Sequence, residues 1–491
     1  MSNISRRSFV GGMTAIPFAI WFEKYGSAAP LRIRYNAYST QGVAMLNIYK
    51  SAVATMMNTS TTPLGDPFNW NFQWYTHAVP PPGKAAEIAK TYPGSSPYKA
   101  MAEAVWSTCQ AHFVTANEPW FLPWHRMFLY YFERIIRKVS GNDHFTLPYW
   151  DYSAPGAHHG IIPPEFRQTG SSLYIQKRNV HTATNQFANV NAGEPLDKYD
   201  AGILSTASLA QCTYLPAGTT VPGFNMDLDQ TLHGNVHVFT GNGQNMGSIP
   251  WAGGDPVFFF HHCNIDRLWA SWNAAGRQNP TNDSTWMDKT FQFVDENKQL
   301  VTATVKDVVT TTQLGYKYQG LDHVPPCPAP KLSPHIASET VRAAVRTVSL
   351  SGAQTQTTLA PSGVAPRTTG QMSAPASGHH LYLVIKNLKA DAEPGAVYHV
   401  YLDMPANTPP AGRRPYFVGR IQFFDAVAHE GHESGNADSD AKFFSFDVTT
   451  VARNLAARKK LSATPGVTII PHGEVAAGAN PVVGDISLIE K

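Results

Sequence analysis

The chain has 491 residues and a formal net charge of +3, with 43% of residues hydrophobic and only 15% charged. That balance describes a globular protein with room for more than one core, and it rules against a disordered or fibrous chain. No polybasic tract is present, so nucleic acid and anionic membrane surfaces are not favoured partners. The short cluster Arg458-Lys459-Lys460 reads as solvated surface. The cysteines are Cys109, Cys212, Cys263 and Cys327, with no Cys-x-x-Cys pair among them. Thiolate zinc and redox motifs are therefore not expected, and so few cysteines do not make a disulfide scaffold.

In chain order, Ser5-Arg6-Arg7-Ser8-Phe9-Val10 forms a twin-arginine export pattern. A modest apolar stretch follows at 10–22, then Ser27-Ala28-Ala29, small enough for a cleavage site. Residues 1–29 are thus expected to be an export signal, giving a periplasmic or secreted product, with cytoplasmic retention as the alternative. The apolar run is shorter than the roughly 20 residues a spanning helix needs, so no membrane segment is expected. Self-association is left open.

Residues 30–325 are rich in aromatics and histidine and carry long helical patterns. The spacing predicts a helix over 122–139, with Pro123 in its first turn, Phe128, Phe132, Ile135 and Ile136 on one face, and Arg137-Lys138 near its end. A second helix is predicted over 256–272, a shorter one over 229–238, and His77 stands near the end of another. Residues 326–380 read as a linker, flexible from about 349, where a Ser/Thr/Ala/Pro/Gly tract runs to 380. Residues 381–491 hold short β-branched and aromatic runs at 381–387, 397–402, 417–424, 443–448 and 467–470, the pattern of a small antiparallel β-sandwich. The expected fold is mainly α: a helical bundle followed by this β-rich domain.

The histidines suggest the chemistry. His233 and His237 are spaced i, i+4, so a helix places both imidazoles on one face. His261 and His262 follow inside an apolar helix and could converge on that pair. Imidazoles without a carboxylate ligand suit copper better than magnesium or calcium. His125 heads another aromatic helix, and His112 and His77 lie upstream, enough for a second three-histidine site. Two such sites facing each other across a bundle would make a dinuclear centre.

Residues 120–133 (WFLPWHRMFLYYFE) and 255–269 (DPVFFFHHCNIDRLW) resemble the two copper signatures of the tyrosinase and polyphenol oxidase family, type 3 copper proteins that include hemocyanins. Residues 232–241 (LHGNVHVFTG) resemble the start of the second copper motif, and the resemblance covers roughly residues 35–320. It implies two copper ions, one held by His77, His112 and His125 and the other by His233, His237 and His262. His261 would stand behind the ligands, and Asp266 and Arg267 would anchor the helix by charge-assisted bonds. The implied partners are dioxygen and a small phenol, with o-hydroxylation of monophenols and oxidation of o-diphenols to o-quinones. A catechol or aminophenol oxidase and, more remotely, a hemocyanin-like oxygen carrier are the alternatives.

Two positions depart from the family pattern. The second ligand of the first copper usually lies nine residues before the third, where this chain has Ala116; His112 is instead thirteen before His125. Cys109 is a candidate for the thioether that relatives form with that histidine. After His233 stands Gly234, where several relatives have an asparagine associated with monophenol deprotonation; Asn235 comes one later. Residues 246–251 should border the mouth of the site, and Tyr316-Lys317-Tyr318 resembles the motif that closes the catalytic core in relatives. The C-terminal region resembles their shielding domain, which covers the coppers with a bulky side chain; Phe423, Phe424 and Tyr416 are examples of large enough residues. His429-Glu430-Gly431-His432 reads as a solvated loop.

Overall fold

The structure, a computed structural model, describes residues 30–109, 119–327, 339–350, 352–362, 375, 378–424, 426–427 and 443–491. The export signal at 1–29, His112, Ala116 and the 429–432 loop lie outside the described residues.

Helices α1 (Thr40–Met57), α2 (Trp70–His77), α3 (Lys84–Thr91), α4 (Pro97–Val105) and α5 (Phe121–Ser140) come first. Their starts follow capping chemistry: the side chains of Ser39, Asn69 and Ser96 each accept a backbone N–H of the helix they precede. Helix α5 matches the predicted span closely and ends on Gly141 in the left-handed region, with Arg137 and Lys138 in its last turn. Helices α6 (Gly223–Leu228), α7 (Gly234–Thr240), α8 (Ile249–Ala252), α9 (Val257–Ala274) and α10 (Ser284–Met287) follow. The helix predicted over 229–238 differs in kind: Asp229–His233 is a π turn and α7 starts at Gly234. Such widened turns recur at functional sites, and no spacing rule reveals them. Around the bundle, β1 (Arg32–Arg34) pairs in parallel with β4 (Tyr316–Tyr318), and β2 (Thr290–Val294) forms a hairpin with β3 (Leu300–Thr304).

Helix α9 is buried almost all round, as its continuous apolar sequence requires. It packs on α5 through Phe132 and Phe259, whose rings stack at 3.5 Å. An ionic brace crosses the same contact. Asp266 of α9 accepts from Arg126 of α5 at 2.5 Å, from Arg34 of β1, and from the hydroxyls of Tyr316 and Tyr318. Glu133 of α5 accepts from Arg34 at 2.9 Å and from Arg137 at 2.8 Å. Burial works against the charge on Asp266, but the two arginines and two hydroxyls outweigh it and hold the carboxyl below its ordinary range. Arg267 turns the other way, to Asp322 at 2.7 Å and Asp151 at 3.0 Å. Asp266 and Arg267 thus anchor α9 through separate partners.

The C-terminal region is a sandwich of two antiparallel sheets. One sheet has the order β10–β9–β12–β6 and the other β11–β8–β13–β5–β7. The strands are β5 (Thr340–Ser349), β6 (Thr355–Thr358), β7 (Ala360–Pro361), β8 (Leu381–Lys389), β9 (Val397–Leu402), β10 (Phe417–Gln422), β11 (Phe443–Asp447), β12 (Gly466–His472) and β13 (Val482–Glu490), with α11 (Thr449–Ala457) between β11 and β12. The expected linker is partly overturned. Residues 340–349, 355–358 and 360–361 are strands of the sandwich, not connecting chain. Small and polar side chains there hide the strand signal, because burial is supplied by β13 and β12, to which β5 and β6 pair. A disulfide joins Cys212 to Cys327, where the helical region ends, while Cys109 and Cys263 are buried thiols.

Candidate metal centre

His233 closes the π turn, and His237 sits one turn later on α7. His261 and His262 face them from α9. One nitrogen from each of the four can be chosen so that all lie within 4.8 Å of one another, and all four residues are buried. A second cluster joins His77, the last residue of α2, with Cys109 and with His125 in the first turn of α5, on the same 4.8 Å criterion. Backbone pairing delivers Cys109: the N–H groups of Ser107, Thr108 and Cys109 donate in turn to the carbonyls of Tyr75, Thr76 and His77. The two clusters share a wall, since the rings of His125 and His262 stack at 4.1 Å.

The imidazoles are aimed by their other nitrogens. His237 Nδ1 donates to the Met246 carbonyl at 2.7 Å, and His125 Nδ1 to the Phe121 carbonyl at 2.9 Å. His233 Nδ1 lies 3.1 Å from the Asp229 carbonyl and 3.0 Å from its carboxylate. A nitrogen facing an oxygen acceptor must carry the proton, which leaves the lone pair on Nε2, directed into the cluster. Burial, reinforced by the neighbouring histidines, lowers His237, His261 and His262 well below the ordinary histidine value, so these rings are neutral. Neutral nitrogens are what a metal ligand requires.

His237 Nε2 and His262 Nε2 face each other at 3.4 Å. Among the described residues, His262 Nδ1 and both nitrogens of His261 are buried without a hydrogen-bond partner. Buried polar atoms left in this way are costly unless something binds there. The donor set is nitrogen-rich with a sulfur alongside, and it fits copper. The ring of His261 stacks on that of His233 at 5.3 Å and 13° from parallel, beside the other three.

Of the expected residues, His77, His125, His233, His237 and His262 are brought together, with His112 outside the described residues. Cys109 Sγ lies 3.6 Å from His125 Nε2; the histidine expected as its thioether partner is not described. Asn235, one position after Gly234, donates to the Ile203 carbonyl and so is engaged elsewhere. Residues 246–251 do reach the site, through the Met246 carbonyl that holds His237. Among the large side chains considered as a cover, Phe423 and Tyr416 belong to the core of the sandwich. Phe424 instead enters the helical core and stacks on His237 at 4.2 Å and 18°. Sequence reasoning missed Asp229, although its position four before His233 on a helical segment was a usable signal.

Comparison with known proteins finds matches along most of the chain. Residues 67–211 and 197–275 match the common central domain of tyrosinase, and 281–327 match the polyphenol oxidase middle domain. Residues 337–491 match a domain family of unknown function. A tyrosinase of Hahella sp. (strain CCB-MM4) is 29% identical, the alignment covering 93% of this chain and 99% of that protein. A chloroplastic polyphenol oxidase of Vitis vinifera is 28% identical over 82% of this chain and 72% of its own length. Aureusidin synthase of Antirrhinum majus is 30% identical over 52% of each chain, so the match spans about half of that relative. The structure of a latent apple tyrosinase superposes with a TM-score of 0.60 at 22% identity, covering 97% of this chain and all of that one, and so shares the fold.

Proposed function

The chain belongs to the tyrosinase and polyphenol oxidase family, whose copper centres oxidise phenols, and from that premise we propose that it is a latent tyrosinase. It would hydroxylate monophenols at the ortho position and oxidise o-diphenols to o-quinones once its C-terminal domain, here called the lid, is displaced. The observation that carries this reading is Phe424, a lid side chain lying flat on His237 at 4.2 Å and edge-on to His233 at 5.9 Å. A phenol ring approaching the four-histidine cluster would need that place.

We assign the ligands of one copper to His233, His237 and His262, with His261 in the same cluster, and those of the other to His77, His125 and His112. Copper, when bound, supplies the dioxygen and electron chemistry. The chain supplies the rest. Phe121 lies 4.7 Å from His233 and 4.9 Å from His125, and Phe258 lies 4.2 Å from His262 and 4.7 Å from His77. These rings exclude water and keep the imidazoles from turning. The carbonyls of Phe121, Asp229 and Met246 fix the tautomers. The brace at Asp266 fixes the distance between α5 and α9, and with it that between His125 and His262.

One observation favours a second reading, oxidation of diphenols alone. Gly234 offers no side chain beside His233, and the Asn235 amide is bound to Ile203. The twin-arginine pattern further supports export, and the Cys212–Cys327 disulfide suits an oxidising compartment. Among the described residues, no helix is long and apolar enough to cross a membrane.

The test is oxidation of L-tyrosine and L-DOPA by copper-loaded protein, before and after cleavage at a protease site placed between Cys327 and Glu339. Both substrates should react, and faster after cleavage. Reaction of L-DOPA alone selects the diphenolase reading. Reversible oxygen binding without turnover, even after cleavage, refutes an oxidase.

A further inference from the structure

The sandwich meets the helical region with both sheets. Ser445 of β11 donates to the Thr220 carbonyl and Glu339 accepts from Thr219 and Thr220, while the face nearest the histidines comes from the sheet of β10, β9 and β12. In β10, Arg420 and Gln422 are two apart and project to the same side, and Phe424 continues the spacing just past the strand. Their cross-strand neighbours extend that face: Arg420 pairs with His399 and Gln422 with Val397 on β9, while His472 of β12 pairs with Val397. Each member of this face has a counterpart on the helical side. Val397 and Phe424 enter its core, and His472 Nε2 donates to the Gln186 carbonyl at 3.0 Å.

Two contacts are more specific. Asp200, buried in a loop of the helical region, receives His399 Nε2 at 2.7 Å and Arg420 Nε at 2.9 Å, with a second Arg420 nitrogen on its other oxygen. Asp200, His399 and His472 could on spacing alone hold a cation. Arg420 engages both carboxylate oxygens, however, so the cluster is an ion-pair clasp. The other contact is a notch. Gln422 Nε2 donates to the Gln230 carbonyl, inside the π turn, at 3.0 Å, and its Oε1 accepts the backbone N–H of Phe424 at 2.6 Å. A Cβ on residue 234 would lie 2.1 Å from Gln422 Nε2 and 2.7 Å from its Cδ. Gly234 therefore leaves the space into which the lid amide fits, and that amide in turn holds the backbone of Phe424.

We propose that Arg420, Gln422 and Phe424 form a three-point docking strand. Arg420 clasps Asp200, Gln422 keys into the Gly234 notch, and Phe424 covers His237. The absence of a side chain at residue 234 is on this account a receptor for the lid, paired with Gln422. The inference rests on the latency reading above, but its docking step has a readout independent of oxidation.

The experiment uses the full-length chain and follows two quantities: protection of the lid from limited proteolysis or hydrogen exchange, and L-DOPA oxidation. Phe424→Ala should raise oxidation by the uncleaved chain while the lid stays protected. Gln422→Ala and Arg420→Ala should lower lid protection and raise oxidation together, by at least about tenfold for the pair if tethering supplies the usual advantage. Gly234→Ala should displace the Gln422 amide, lower lid protection to about the level of Gln422→Ala, and add nothing in a Gln422→Ala background. Thermal unfolding identifies any variant that fails to fold, and each single substitution then stands in for the others. Lid protection unchanged in the Gln422→Ala/Arg420→Ala double variant overturns the docking strand. Additive effects of Gly234→Ala and Gln422→Ala overturn the notch. If the severed chain does not oxidise L-DOPA at all, the oxidase reading fails while the protection data still decide the docking.

Discussion

The two halves of the candidate copper centre are built differently. The half around His233, His237, His261 and His262 rests on a π turn and two helices, so its nitrogens are placed by regular backbone. The half around His77, Cys109 and His125 takes one residue from a helix end, one from an irregular segment paired to it and one from a helix start. The first half is also the one Phe424 lies against. Helical backbone holds the first set of nitrogens at fixed spacing, whereas the irregular half depends on long-range packing to bring its three residues together. What couples them is the contact between α5 and α9, where His125 and His262 stack.

If that coupling is real, Asp266→Ala should damage both halves at once. The substitution strands Arg126 and Arg34 in the interior, and removing one partner of a buried ion pair costs about 3–5 kcal/mol. A large fall in the unfolding midpoint with copper lost from both halves is expected. Loss of copper from one half alone would break the coupling argument. Thermal unfolding followed by metal analysis reads both.

The lid sharpens the comparison more gently. Burial alone would raise Asp200, but His399 and Arg420 outweigh it and bring the carboxyl from its usual 3.8 down to about 2. Tyr401 and His472 are the other titratable groups facing this cluster, and burial lowers His472. A depressed carboxyl contributes stability that is present above its ordinary value and is lost as pH falls through the folded one. The clasp contributes on the order of 2–3 kcal/mol at neutral pH by this linkage, nearly undiminished to about pH 5 and fading below it. Lid protection measured from pH 7 to 3 should show that profile, and Asp200→Asn should weaken docking at neutral pH and flatten the acid limb. A lid released between pH 7 and 5 would contradict the assignment.

What could be read in the sequence follows the same division. The i, i+4 pair and the double histidine lie on helical segments, so spacing set His233 and His237 on one face with His261 and His262 able to converge on them, and the family resemblance singled out His262. The strands at 397–402 and 443–447 were legible because β-branched and aromatic residues fill them. Strand β5 was not, since TVRAAVRTVS has few large apolar residues and draws its order from β13. The π turn leaves no mark in residue spacing, and the clasp between Asp200 and Arg420, at a separation of 220 residues, and the filled Gly234 notch exist only once the lid is folded against the helices. In sequence, Gly234 is merely a departure from a motif.

The central claim is that two histidine clusters in one chain hold two copper ions. It is tested most directly by metal analysis with X-ray absorption on the native chain and on His237→Ala and His77→Ala. The account predicts about two coppers per native chain with nitrogen-dominated ligation, and about half that content in each variant, lost from a different half. Full copper content in either variant, or a native chain that holds a single copper, would contradict it.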